Sequence, residues 1–166
     1  LAHGIDERKV ETGECVKSVS NEHTFRLDIT DEAILRQTLL RLAEKVGFRL
    51  RQKQLQGRTI QLKLRYSNFS TITRSKTLPE YTERTETIFE TVWRLFESNY
   101  QKGRAVRLLG VGVSSFGESS GRQLSLFEQG QKSTDALDKL EDLLKERFGK
   151  KIAMRAETLR KKIKND

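Results

Sequence analysis

The tightest constraint in this chain lies between Arg58 and Tyr66. Ile60, Leu62, Leu64 and Tyr66 alternate with Thr59, Gln61, Lys63 and Arg65, the period of two that a strand with one buried face requires. The turn formers Ser67 and Asn68 follow, and a β-branched run from Thr71 to Thr77 comes next, so Arg58–Leu78 reads as a β-hairpin. Its first strand turns Gln61, Lys63 and Arg65 outward; the second is expected to add Arg74, Ser75, Lys76 and Thr77 to that surface. Such a face suits phosphate oxygens, because cations supply charge while hydroxyls and free edge amides supply hydrogen bonds. For one hairpin alone, a plain solvated sheet face is the competing reading.

The distribution of charge favours the phosphate reading. Residues 17–117 hold 18 basic and 10 acidic side chains, an excess of +8 out of the total of +9, whereas residues 1–16 hold 2 and 4 and residues 118–166 hold 12 and 9. A folded basic unit favours a polyanionic partner, of which nucleic acid is the commonest, although a generally basic soluble protein would show the same excess. The single cysteine, Cys15, leaves no internal disulfide and suits a reducing, cytoplasmic setting. His3 and His23 are isolated, so no metal-ligand spacing is present, and no apolar run approaches the roughly 20 residues of a membrane span. The opening residues carry no signal-peptide layout, and Leu1 at their head suggests a piece of a longer chain.

In chain order, residues 1–16 are polar and without periodicity, the texture of a linker or the end of a preceding domain. Lys17–Phe25 reads as a strand with Val19 and Phe25 on one face and Ser18, Ser20 and Thr24 on the other. Thr30 is placed to cap a helix whose first acids, Asp31 and Glu32, favour the positive end of its dipole. Leu35, Leu39, Leu42, Val46 and Leu50 form its apolar stripe, Gly57 is the expected cap at its end, and Gly47 is a place where it could bend or stop early. After the hairpin, Pro79 is expected to end the strand and Thr82 to cap a second helix. Its stripe is Ile88, Phe89, Val92, Leu95, Phe96 and Tyr100, with Trp93 on the flank, read as core packing, and Gly103 closes it. Val106–Phe116 is the last strand: Leu109, Val111 and Val113 share one face, and Gly110, Gly112 and Ser114 share the other. A strand face stripped of side chains lets either a neighbouring element or a nucleic-acid strand approach closely.

The order β-α-β-β-α-β predicts an α+β domain over residues 17–117, a four-stranded antiparallel sheet with both helices on one face and the other face open. Residues 118–132 are rich in Gly, Ser, Gln and Glu and read as a flexible tether. Gln123, Leu124, Ser125, Leu126 and Phe127 interrupt it with an apolar cluster that is costly to leave wet without a docking pocket, unless it folds back on the domain. In residues 133–166, Ser133 is a possible cap for a helix striped by Leu137, Leu140, Leu143, Leu144 and Phe148, and a short basic segment follows. No nucleophile–base pair, Gly-rich phosphate loop or carboxylate metal cluster stands out, so no catalytic or metal-binding residue is assigned.

Four separated blocks, GIDER (Gly4–Arg8), KSVSNEHTF (Lys17–Phe25), LKLRYSNFSTITRSKTL (Leu62–Leu78) and VRLLGVGVSSF (Val106–Phe116), together resemble the end of the thumb and the little finger of Y-family translesion DNA polymerases of the DNA polymerase IV (DinB) type. The resemblance implies a β-α-β-β-α-β little finger that grips duplex template–primer DNA. Its contacts would come from Lys17 and Ser18, from Thr73, Arg74, Ser75, Lys76 and Thr77, and from Arg107. QLSLF resembles the family's sliding-clamp-binding pentapeptide, with Gln123 at the pocket rim and Leu126 and Phe127 inside. The palm with its Mg²⁺-binding carboxylates would precede this segment, so the resemblance implies no cofactor here. Two alternatives stay open: a single-stranded nucleic-acid binder of RNA-recognition-motif topology, which would place aromatics on the open face, and a clamp-interaction module without polymerase function.

Overall fold

The structure, a computed structural model, describes residues 16–117 and, further on, residues 137, 138, 140–144, 147 and 149. The alternating segment forms β2 (Gly57–Tyr66), and Ile60, Leu62, Leu64 and Tyr66 are all 2% exposed or less. β3 (Thr71–Thr82) pairs with it as the other arm of the hairpin, and β4 (Val106–Phe116) pairs with its far side. β1 (Ser18–Ile29) adds to the outer edge of β4, giving one antiparallel sheet in the order β1-β4-β2-β3. The last of the described strands is therefore an inner one. α1 (Glu32–Gln52) packs on β1 and β4, and α2 (Thr85–Asn99) packs on β2 and β3, so both helices cover the same face, as the pattern predicts.

Packing follows the apolar stripes. Leu35, Leu39, Leu42, Val46 and Leu50 of α1 are all buried against Leu109, Val111 and Val113 and the β2 row. Each large aliphatic side chain buried in this way contributes about 1.5–3 kcal/mol relative to exposure. From α2, Ile88, Phe89, Val92 and Phe96 enter the core, while Trp93 and Tyr100 stack on either side of Phe96 at 5.3 and 4.7 Å between ring centroids.

The element ends differ from the expected ones for local reasons. Asp31, not Thr30, caps α1: its Oδ1 accepts from Ala33 N–H at 2.8 Å. α1 runs unbroken through Gly47 and closes before Gly57, in a Schellman arrangement where Leu55 N–H donates to Leu50 O and Gln54 N–H to Arg51 O. Gln54 takes the left-handed conformation there (φ 53°), which frees Gly57 to open β2. Pro79 does not end β3. That strand is an edge strand, where a missing N–H costs no ladder bond, and it continues to Thr82 through an irregularity in its pairing with β2. Thr82 caps only the approach to α2, accepting from Arg84 N–H at 3.1 Å. α2 starts three residues after Thr82 and ends at Asn99, ahead of Gly103, which takes a positive φ of 78° in the following turn.

The N-cap residue of α2, Arg84, makes no capping side-chain bond. A carboxylate from the tail serves instead. Leu137, Asp138 and residues 140–144 are helical, and the buried Asp138 accepts from Thr85 N–H at 3.2 Å through Oδ2. The same oxygen faces Arg51 Nη1 at 3.3 Å, while Asp142 takes Arg51 through two parallel bonds, Nε to Oδ2 and Nη2 to Oδ1. Arg51 Nη1 also donates to Glu83 O at 3.0 Å. Burial works against the Arg51 charge, but the bond to Asp142 and the nearby Asp142, Asp138 and Glu83 charges outweigh it, and its pKa is raised. Of the expected apolar stripe, Leu137, Leu140 and Leu143 are 60%, 53% and 63% exposed, and Leu144 is half-buried. Asp138→Ala is expected to lower unfolding stability by about 1–3 kcal/mol, through the lost cap and the unbalanced Arg51. Leu140→Ala should leave it nearly unchanged. Urea denaturation of the two variants checks this.

Candidate nucleic-acid interface

The helix-free face of the sheet is built by register. Four rows cross it: Ser18–Ser114–Thr59–Thr77, Ser20–Gly112–Gln61–Ser75, Glu22–Gly110–Lys63–Thr73 and Thr24–Leu108–Arg65–Thr71. Because side chains alternate, burying Val19, Leu109, Val111, Val113, Leu62 and Leu64 on one face fixes these residues on the other. The rows are mostly hydroxyls and one amide, with charge confined to the two rows nearer the hairpin tip. They contain no aromatic residue.

Hydroxyls are linked at the charge-free end. Thr59 Oγ1 lies 3.1 Å from Thr77 Oγ1 and donates to Ser115 Oγ at 2.9 Å. At the other end Arg65 Nε donates to Thr71 Oγ1 at 2.8 Å. Between them Lys63 Nζ donates to both carboxylate oxygens of Glu22, at 2.8 and 3.1 Å.

Of the residues expected here, Ser18, Lys63, Arg65, Thr73, Ser75 and Thr77 do share this face. Lys17 is exposed just before β1. Arg74 and Lys76 do not belong to the face: they pair with Leu62 and Ile60 and so project from the helix side of β3. Four consecutive strand residues cannot all point one way. Arg74 is held there, donating from Nε to Asn99 Oδ1 at 2.9 Å and from Nη1 to Thr73 O at 2.9 Å. Arg107 sits at an irregularity beside the hairpin tip, 3.6 Å from Asp28 and over the Phe69 ring at 4.8 Å from its centroid. Arg104 covers the Tyr66 ring at 4.2 Å, and its position in a loop gave no periodic signal to find it by. Glu22 was also missed, although its even spacing from Ser18 and Ser20 puts it on the open face. Gln123, Leu124, Ser125, Leu126 and Phe127 lie outside the described residues.

β3 is also an edge strand, so alternate backbone N–H groups along Thr71–Thr77 have no ladder partner and point outward. Outward amides beside Thr73, Ser75 and Thr77 make a row of neutral donors. Among the described residues, no group of three or more His, Cys, Asp or Glu side chains could hold a metal ion.

Residues 16–126 match the impB/mucB/samB family C-terminal domain. The chain belongs to this family. Among curated members, it is similar to the DNA polymerase IV of Methanoculleus marisnigri, 41% identical over 128 residues that make up 77% of this chain and 35% of that protein. It is 36% identical to the DNA polymerase IV of Dehalococcoides mccartyi strain BAV1 over 149 residues, 89% of this chain and 38% of that protein. This chain thus spans little more than a third of the length of these relatives. In three dimensions it is similar to a chain of a solved complex of the beta-clamp processivity factor and the little finger domain of PolIV. The TM-score is 0.50 at 25% identity, over 66% of this chain and 98% of that one. The family domain is thus the four-stranded, two-helix fold that the sequence pattern predicts.

The two bare positions of β4 are not equivalent. A Cβ on Gly110 would lie 2.9 Å from Glu22 Cγ and 3.2 Å from Lys63 Cβ, whereas on Gly112 it would meet Ser20 Cβ at an ordinary 3.4 Å. Gly112→Ala is therefore expected to hold or raise the melting temperature, by restricting the unfolded chain, and Gly110→Ala to lower it. Calorimetry on both checks the contrast. On the opposite face of β1, His23 meets Phe25 edge-on at 4.9 Å, and its pKa falls below the ordinary 6.5 through burial first and then the Lys45 and Arg41 charges. Folding thus favours the neutral ring. The stability this gives is complete above pH 6.5 and is lost as pH falls through the lower folded value. Unfolding measured from roughly pH 7 to 5 should fall less steeply in His23→Gln than in the wild type.

Proposed function

We propose that this domain grips the backbone of template–primer duplex DNA with its open sheet face and the edge of β3, as the little finger of a DNA polymerase IV-type translesion enzyme. The observation that carries the reading is the four-row face itself, made of hydroxyls, an amide and two cations, flanked by outward edge amides. Phosphate contacts of this kind position a duplex without reading its sequence, which suits a polymerase that must work anywhere. A single-strand binder would use aromatic platforms, and the rows have none.

On this reading, nucleotidyl transfer belongs to the rest of a longer polymerase, whose own carboxylates would hold Mg²⁺; this domain holds the duplex in place. QLSLF, Gln123–Phe127, recruits the enzyme to the sliding clamp. The support is the apolar cluster in a polar tether, together with the clamp complex formed by the structurally similar PolIV little finger. A cytoplasmic location fits the lone Cys15.

The test is titration of the chain with duplex DNA across a salt series and, separately, with sliding clamp. Arg65→Ala should weaken DNA binding and lower the slope of log K against log salt by about 0.9, the loss of one phosphate contact. Leu126→Ala with Phe127→Ala should weaken clamp binding by at least about tenfold, since each 1.4 kcal/mol of lost burial is a decade, and leave DNA binding unchanged. An unmoved salt slope would place the DNA contacts elsewhere. Unchanged clamp affinity would remove QLSLF from the mechanism.

A further inference from the structure

We propose that Glu22 sets how tightly the open face holds phosphate, by keeping Lys63 engaged; this rests on reading that face as a duplex-backbone surface. Lys63 Nζ donates to both carboxylate oxygens of Glu22, at 2.8 and 3.1 Å, which sets the ammonium charge directly against the carboxylate. Glu22 is the one carboxylate in the four rows, and it stands at their centre rather than at the rim. An incoming phosphate must therefore displace the carboxylate from Lys63 or bind beside a like charge.

The pair is built into the sheet. Glu22 lies on β1 and Lys63 on β2, which are not neighbours; β4 runs between them, and both residues are in register with Gly110. Strands two apart are separated by roughly 10 Å, a gap the two side chains close by crossing over a residue that has none. A Cβ on Gly110 would intrude on both of them. The bare strand face thus has a definite use: it admits an ion pair that spans three strands.

The pair is also exchangeable. The side chains are 34% and 42% exposed, so solvent and ligand reach both, and an ion pair of this exposure is weak and screened by salt. Phosphate and carboxylate then compete for one ammonium group. Arg65, whose Nε goes to the neutral Thr71 hydroxyl, remains the cation of the rows that no carboxylate in them engages. A grip that is partly occupied by its own carboxylate is loosened at each step, which fits a domain that must let duplex pass.

The test uses the full chain and a fluorescent duplex, with anisotropy read over a salt series for wild type, Glu22→Gln, Lys63→Ala and the double variant. Glu22→Gln is isosteric and removes only charge. It should bind more tightly than wild type and steepen the salt slope by about 0.9, one further phosphate contact. Lys63→Ala should abolish the gain of Glu22→Gln, and so cost more affinity and more salt slope in the Glu22→Gln background than in the wild type. If the wild type binds and Glu22→Gln matches it in affinity and slope, Glu22 does not hold Lys63 back. An equal loss on Lys63→Ala in both backgrounds would overturn the inference in the same way. If neither wild type nor Glu22→Gln binds duplex at low salt, the backbone-binding reading fails and takes this inference with it.

Discussion

The insertion of β4 between β1 and β2 is the contact on which the rest of this structure depends. β4 comes last among the described strands, yet it pairs on both edges, and its Leu109, Val111 and Val113 join the rows that both helices cover. Its register fixes the face of every neighbouring side chain, because a slip of one residue would exchange the buried and open sets. The core therefore specifies the candidate interface indirectly. Leu62 and Leu64 go inward, so Lys63 and Arg65 go outward, and the glycines of β4 lie among them. A domain of this kind needs no separate device to arrange its polar face.

Much of this was legible in the sequence because it depends on periodicity. The alternation through Tyr66, the stripe from Leu35 to Leu50 and the two faces of Val106–Phe116 are all local patterns with large burial terms behind them. What escaped was pairing and termination. Arg74 and Lys76 looked like part of a basic surface because composition does not record which way a strand residue points; the register with Leu62 and Ile60 does. Pro79 looked like a stop because its tolerance depends on β3 lying at an edge, a property of the whole sheet. Gly57 looked like a helix cap because nothing local reveals that Gln54 takes the left-handed position.

The tail carries the same lesson in a different interaction. Its leucines have helical spacing, yet Leu137, Leu140 and Leu143 are exposed, and Asp138 and Asp142 make polar contacts with the first turn of α2 and the guanidinium of Arg51. A helix start presents N–H groups without partners, and a carboxylate satisfies them while favouring the positive end of the dipole. Asp138 does so from more than fifty residues away. Asp142, one turn later, takes the guanidinium that burial would otherwise leave strained for partners. Arg51 thus links the end of α1, the start of α2 and the tail, at a corner well away from the four rows.

Charge and contact are separated in this domain. Residues 17–117 carry an excess of +8, but the four rows hold only Lys63 and Arg65 against Glu22. The remaining cations lie on helix faces, on the helix side of β3, at strand ends and in loops, with Arg107 and Arg104 laid over aromatic rings. For the role proposed above, the two parts act over different ranges. The distributed charge draws a polyanion over distances up to a Debye length of about 10 Å and is insensitive to how the duplex lies. The hydroxyls and edge amides act only at hydrogen-bond distance and orient what has already arrived. Concentrating the cations in the rows would merge these functions and fix the duplex at one register. Keeping them apart leaves a surface whose short-range contacts are mostly neutral, each easily exchanged for water or for the next phosphate along.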